Sequence, residues 1–483
     1  MDRTSRRLDS RRFDPRPHGR SRRTALLCLA LITLAGAALL CSAAPAHAAS
    51  GDEAWHRAYD GGVSGGDITE HIAISPDGRA VYIAGWVQHW ASPTTDMQDL
   101  LLIKYAYTGG RKWVRRYAGP GSGVDQANAV LCDATGNVYV AGSATMVDGY
   151  TDLVLIKYDK DGHRTWLRTL SVSINTGDSA WALALDGDGN VYAAGTTSNL
   201  LTGNDTLLVK YSRYGRRRWV RTYDSGAGLT DRSNSVVVDR RRGAVYVGGT
   251  SNDGVNGGDW LVVKYDLAGN QSWAHTCGTA GASDSSCALA LGPADGGVYQ
   301  VGTFWLPDPA GQATLVKWAR DGTQPWTGPA QAANYGGADY FRDVTVDRYG
   351  LVHAVGGVMN SSGNYDGFVL TRTADGAPQS YRSVDSFGQN DWFWAVACDG
   401  AGNVYATGET NDTVSYGYQY LTAKFPRSTG RVWTATAGES PDSSPDGARD
   451  IVLRTGTRAG VYVTGGGQSP TSSYDAFTVK HRP

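Results

Sequence analysis

From Asp178 to Tyr223 the chain alternates apolar and polar positions in four short bursts, ALAL, NVYAAG, TLLVKY and RRWVRTY, parted by clusters of Gly, Asp and Asn. Alternation with a period of two is the mark of a half-buried strand, and the clusters are turn formers. The stretch therefore predicts four antiparallel β-strands. No part of the chain beyond residue 48 carries a helical period.

The same pattern recurs eight times. The Tyr of the second burst marks the units at Tyr82, Tyr139, Tyr192, Tyr246, Tyr299, His353, Tyr405 and Tyr462, at intervals of 52 to 57 residues. An Asp 14 to 16 residues upstream opens each first strand, at Asp67, Asp125, Asp178, Asp231, Asp284, Asp339, Asp391 and Asp446. The third strand carries Lys104, Lys157, Lys210, Lys264, Lys317, Lys424 and Lys480, with Thr371 in the sixth unit. Nine residues after the Lys stand Trp113, Trp166, Trp219, Trp273, Trp326 and Trp433, with Tyr381 near the matching place in unit six. A Trp repeated in this way is expected to pack rather than to react, because one site cannot need so many copies. The Lys column is expected to lie on solvated outer surfaces.

Repeats of this length stack to bury a continuous core. The eighth unit ends at Pro483, three residues beyond Lys480 and short of a fourth strand, while AWHRAY around Trp55 is an orphan fourth strand at the other end. The expected fold is all-β. It is an eight-bladed β-propeller of four-stranded antiparallel blades, with residues 51–60 completing the last blade and a seven-bladed count as the alternative. Closure of this kind leaves no long free sheet edge.

The units resemble those of the bacterial secreted β-propeller repeat proteins, often called SBBP-type. In the third unit Asp178, Ala182, Gly189, Asn190, Val191, Tyr192, Gly195, Thr196, Asp205, Lys210 and Gly215 carry the likeness. It extends over residues 51–483, and Gln312, His353, Thr371 and Tyr381 depart from it. The resemblance implies a propeller scaffold and little chemistry.

Residues 1–48 form an expected export signal: an Arg-rich start, the apolar run from Ala25 to Leu40, and the small-residue site Ala46-His47-Ala48, with cleavage before Ala49. Ser21-Arg22-Arg23 followed by Leu26 resembles a twin-arginine signal, and both the general and the twin-arginine routes stay open. Residues 49–483 are then a single domain, expected to be secreted and monomeric. Its blades begin near 67, 125, 178, 231, 284, 339, 391 and 446. Loss of nine Arg and three Asp takes the formal charge from −1 to −7, which argues against nucleic-acid binding. No later apolar run is long enough to insert into a membrane. Gly (63) and Trp (15) are frequent while Met (4) and Phe (8) are scarce, in keeping with many strands and tight turns.

Candidate chemistry is sparse. Asp186-Gly187-Asp188-Gly189-Asn190 alternates oxygen ligands but lacks the bidentate Glu of a calcium loop, so it reads as a hairpin turn. No metal or cofactor is expected. Cys277 and Cys287 lie ten apart across one connection between blades, a spacing that permits a disulfide without deciding it.

The informative column lies three places after the opening Asp: Glu70, Asn128, Trp181, Asn234, Cys287, Arg342, Trp394 and Arg449. Residues that only pack should be alike in every blade, and these scatter. The column is expected to ring the channel mouth. Loops between the second and third strands should add Trp86, His89, Trp90, Trp305, Glu409, Tyr416 and Tyr418, and Trp392 stands beside an opening Asp. Aromatic rings among amide, guanidinium and carboxylate groups suit a carbohydrate, whose apolar faces stack while its hydroxyls pair, or a protein partner. The expected ligand residues are Trp86, Trp90, Asn128, Trp181, Asn234, Arg342, Trp392, Trp394 and Arg449, in a binding or scaffold protein without a catalytic residue. The alternative is a glycoside hydrolase or polysaccharide lyase acting on extracellular polysaccharide through Glu70, His71 or Glu409, with Asp343 and Asp450 as further unassigned carboxylates.

Overall fold

The computed structural model describes residues 51–62, 66–92, 95–226, 229–252, 254, 257–305, 311–329, 337–411, 417–428, 432–437, 447–456, 459–467 and 475–483, and their side chains except those of 89–92, 95 and 96. The export signal and Asp446 lie outside them.

Among these residues are eight four-stranded sheets and no helix. In seven sheets the strands follow chain order, and every pairing is antiparallel. The eighth is ordered Glu53–Tyr59, Asp475–His481, Gly460–Gly467, Gly447–Arg454, so the N-terminal strand supplies its outer edge. The first strand of each blade packs against those of its two neighbours, and the first strand of blade one meets that of blade eight. The chain is an eight-bladed propeller.

Among the described residues, five blade junctions are clasped by the Trp and Lys columns acting together. In blade three Lys210 faces Trp219, and both donate to the Leu267 carbonyl in the outer hairpin of blade four, at 2.9 and 3.3 Å. The same paired donation joins Lys157 and Trp166 to Arg213, Lys264 and Trp273 to Arg320, and Lys317 and Trp326 to Ala374. At the closing junction the donors are Lys480 and Trp55, which face each other and donate to the Tyr107 carbonyl of blade one at 3.2 and 3.1 Å. Trp55 thus fills the place that six other blades fill with a Trp of their own fourth strand. The accepting hairpin needs glycine. Gly109 has φ +87°, and a Cβ there would lie 2.9 Å from the Trp55 ring. A side chain would be strained in backbone and would strike the clasp.

Two expectations are corrected here. The Lys column is not a solvated surface: Lys157, Lys210 and Lys480 direct their ammonium groups into blade junctions, and burial pushes Lys104, Lys157, Lys264 and Lys480 below the ordinary range. Tyr381 does not stand in the Trp column, because Ser380 is the residue opposite Thr371; Tyr381 instead packs on Phe368 of its own blade, ring centroids 5.6 Å apart.

The Asp-rich turns serve their hairpins. Asp186 accepts from the Asp188 and Asn190 amides, the Asn190 side chain and the Tyr192 hydroxyl, and Lys210 lies 3.2 Å away. Asp133 and Asp399 do the same in their own blades. The opening Asp column also holds backbone: Asp231 accepts from Ser225 of the incoming connection and from Asn252 at the end of its own second strand.

Candidate functional site

All eight members of the scattered column are β-bulges. Pairing between first and second strands slips between Thr69 and His71, Ala127 and Ala129, Ala180 and Ala182, Ser233 and Ser235, Ser286 and Ala288, Phe341 and Asp343, Phe393 and Ala395, and Ala448 and Asp450. The extra residue each time is Glu70, Asn128, Trp181, Asn234, Cys287, Arg342, Trp394 or Arg449. A bulge re-aims its side chain and frees it from the packing alternation, which is why these positions vary. Glycine on the facing strand makes room: a Cβ at Gly195 or Gly408 would come within 1.8 Å of the carbonyl before the bulge.

The structure divides the eight into different fates. Asn128 is 2% exposed and donates to the Ala180 carbonyl of the next blade at 3.0 Å. Asn234 likewise donates to the Ser286 carbonyl at 2.6 Å. Both amides hold neighbouring bulges in place. Trp181 stands 46% exposed beside Arg232 and Asn234 in an open cleft of about 540 Å³ lined by blades two to five.

Blades six to eight form the denser sector. The guanidinium of Arg342 lies 4.5 Å from the Trp394 ring centroid and that of Arg449 also 4.5 Å, so the blades on either side each lend a cation to one indole. Arg342 is in addition 4.8 Å from the Tyr340 ring, and its Nε is buried without a hydrogen-bond partner among the described residues. Glu409 is buried behind this stack; burial pushes its carboxyl up, and Arg449 and Arg342 oppose that. Gly447 admits the carboxylate, since a Cβ there would fall 2.5 Å from Glu409 Oε2. Alongside runs a row of rings, Tyr340 to Tyr365 at 5.5 Å, Tyr365 to Trp392 at 5.7 Å and Trp392 to Tyr418 at 5.7 Å. Gly357 keeps that row open, because a Cβ would meet Trp392 at 2.5 Å and Tyr340 at 3.1 Å.

Of the other expected residues, Trp86 and Trp90 lie not in a loop but on the long second strand Ala80–Ser92 of blade one, opposite Leu100 and Asp96; the Trp90, His89 and Tyr416 side chains lie outside the described residues. Glu409 is likewise on a strand, paired with Trp392 and Tyr420. Asp343 and Asp450 are latches between blades. Asp343 accepts from Val396 of blade seven at 2.9 Å, and Asp450 accepts from Ile72 of blade one at 2.9 Å. His71 Nδ1 lies 3.7 Å from Asp450 and belongs to that junction. The alternative catalytic set is therefore divided: His71 faces Asp450, while Glu409 sits behind Trp394 and Arg449.

The disulfide is not formed. Cys277 ends the outermost strand of blade four and Cys287 is a bulge on the innermost strand of blade five, so the two thiols are free. Burial pushes the Cys277 thiol up to about 12 and raises that of Cys287, which the Arg342 guanidinium partly offsets.

Two carboxylate groups that the sequence pattern does not single out could hold a divalent cation: Asp60, Asp67 and Asp475, and Asp205, Asp224 and Asp231, each set with oxygens within 4.8 Å. They arise at equivalent junctions, where a third-strand Asp, an Asp after the fourth strand and the next opening Asp converge. Asp67 and Asp231 already accept backbone amides there.

No protein-family model matches the chain. It is similar to the regulatory protein FlaEY of Caulobacter vibrioides, 29% identical over 239 residues that take in 40% of this chain, and spans about a quarter (24%) of that protein's length. Among solved structures it is similar to the Dos1 propeller, with a TM-score of 0.50, 10% identity, and coverage of 88% of this chain and 94% of that one. That likeness concerns the fold alone.

Proposed function

We propose that this propeller is a binding module of the bacterial secreted β-propeller repeat kind, exported through its N-terminal signal, acting as a monomer and taking a carbohydrate at the channel mouth over blades six to eight. The observation that carries the reading is the indole of Trp394 set between two guanidiniums beside the row Tyr340, Tyr365, Trp392 and Tyr418. Stacking rings and forked planar donors are what a sugar's apolar faces and hydroxyls require. Hydrolysis has less support, because Asp343, Asp450 and His71 are engaged between blades.

The test is a glycan array probed with the purified propeller, residues 49–483, beside Trp394→Ala and Trp181→Ala. Binding that is lost in the Trp394 variant and kept in the Trp181 variant is the expected result. Absence of binding to every glycan would overturn the carbohydrate reading and favour a protein partner, for which the same Trp, Tyr and Arg groups are the usual anchors. Turnover of a bound glycan that disappears in Glu70→Gln or Glu409→Gln would replace the binding module with an enzyme.

A further inference from the structure

We infer that the ligand of this face is an acidic saccharide, held through its carboxylate or sulfate by Arg342 and Arg449. The inference rests on the carbohydrate reading and adds to it the charge of the sugar.

The argument starts from an electrostatic imbalance. Arg342 and Arg449 converge on one Trp394 ring, and among the described residues neither forms an ion pair. Two like charges drawn together in a half-buried place repel each other, and stacking on an indole offsets that only in part. Elsewhere several cations at the blade junctions and hairpins have a carboxylate: Lys210 has Asp186 at 3.2 Å, Lys317 has Asp295 at 2.6 Å, and Arg242 has Asp239 at 3.0 Å. At the mouth the nearby carboxylate is Glu409, whose carboxyl burial pushes up against the pull of Arg449 and Arg342, and it pairs with neither among the described residues. The Arg342 Nε is buried and has no hydrogen-bond partner among the described residues, and a buried donor left unmade is costly. An anion bound at these guanidiniums would supply acceptors and offset the repulsion.

The geometry points to a sugar rather than to a bare ion. The guanidiniums sit beside four rings in a row, and Arg342 touches both the row, at Tyr340, and the Trp394 stack. A charged group on Arg342 thus leaves the rest of the ligand over an aromatic surface. An arginine fork matches a carboxylate or sulfate better than a lysine would, and both cations here are arginines although the chain has lysines in most blades.

Binding is measured by titration calorimetry against polygalacturonate, its methyl ester, dextran sulfate, dextran and poly-L-glutamate. Expected is binding of polygalacturonate or dextran sulfate, and not of the ester or dextran, that weakens about tenfold or more in Arg342→Gln and in Arg449→Gln and also declines with added salt. The two acidic polymers separate a carboxylate from a sulfate preference. Arg342→Lys, which keeps charge but loses the fork, should fall between wild type and Arg342→Gln, and guards against a variant that merely fails to fold. Equal binding of polygalacturonate and its ester, unchanged in the Arg variants, would overturn the acidic inference and leave the carbohydrate reading standing. Arginine-dependent binding of poly-L-glutamate with no saccharide bound would overturn both, as would binding of none of the five.

Discussion

The glycine at the tip of each outer hairpin offers a direct probe of ring closure. Gly109 has φ +87° and would place a Cβ 2.9 Å from the Trp55 ring of the N-terminal strand, whereas Gly149, at φ +86°, would place one where nothing lies within 4 Å. Alanine at Gly149 therefore costs only the left-handed backbone, about 1–2 kcal/mol. Alanine at Gly109 costs the same strain plus the overpacking of an indole that is 8% exposed and hydrogen-bonded to Tyr107, an additional ~1–3 kcal/mol. Truncating Trp55 to Ala removes the rigid obstacle and leaves the end of the flexible Arg57 side chain, also 2.9 Å away, which can move aside. In that background Gly109→Ala should cost no more than Gly149→Ala, a coupling of roughly 1–3 kcal/mol. Urea unfolding followed by circular dichroism reads wild type and all four variants without relying on the Trp removed. A Gly109→Ala cost equal to that of Gly149→Ala in the wild-type background, or unchanged when Trp55 is absent, would refute the packing of the N-terminal strand on blade one.

Three further outcomes follow from the same contacts. Lys210→Met strands the buried Asp186 and should cost about 3–5 kcal/mol, while Lys112→Met, on an exposed position, should stay within about 0.5 kcal/mol; similar denaturation midpoints for the two would refute the clasp. Burial lifts the Asp343 carboxyl from 3.8 to about 7, so its protonated form favours the fold and that contribution is lost as pH rises through about 7. Stability between pH 4 and 7.5 should accordingly fall less, or rise more, in Asp343→Asn than in wild type, and parallel pH profiles would show that Asp343 does not titrate in this window. Alkylation of the unfolded protein without reductant, read by mass spectrometry, should label Cys132, Cys277, Cys287 and Cys398 alike, and a linked peptide joining Cys277 to Cys287 would contradict the placement of those strands.

The sequence by itself determined the strands, the blade count and the closing strand, because each rests on local rules repeated eight times. Period-two alternation makes a strand, Asp and Gly make its turns, and an orphan Trp strand at one end matches a missing one at the other. It also marked the scattered column, since a position freed from packing loses its uniformity. Only the tertiary structure decided why that column is free. The bulge is a slip of one residue between two strands, and it becomes visible when Gly85, Gly195 or Gly408 is seen pressed against a carbonyl across the sheet. Tertiary structure likewise spent Asn128 and Asn234 on neighbouring blades, hid the Lys column in the junctions, and carried Cys277 and Cys287 to opposite sides of their blades. It brought together Arg342, Trp394 and Arg449, about fifty residues apart in sequence, because neighbouring blades carry their bulges at equivalent places. Distances across a ring follow from blade packing, and no local pattern in the chain encodes them.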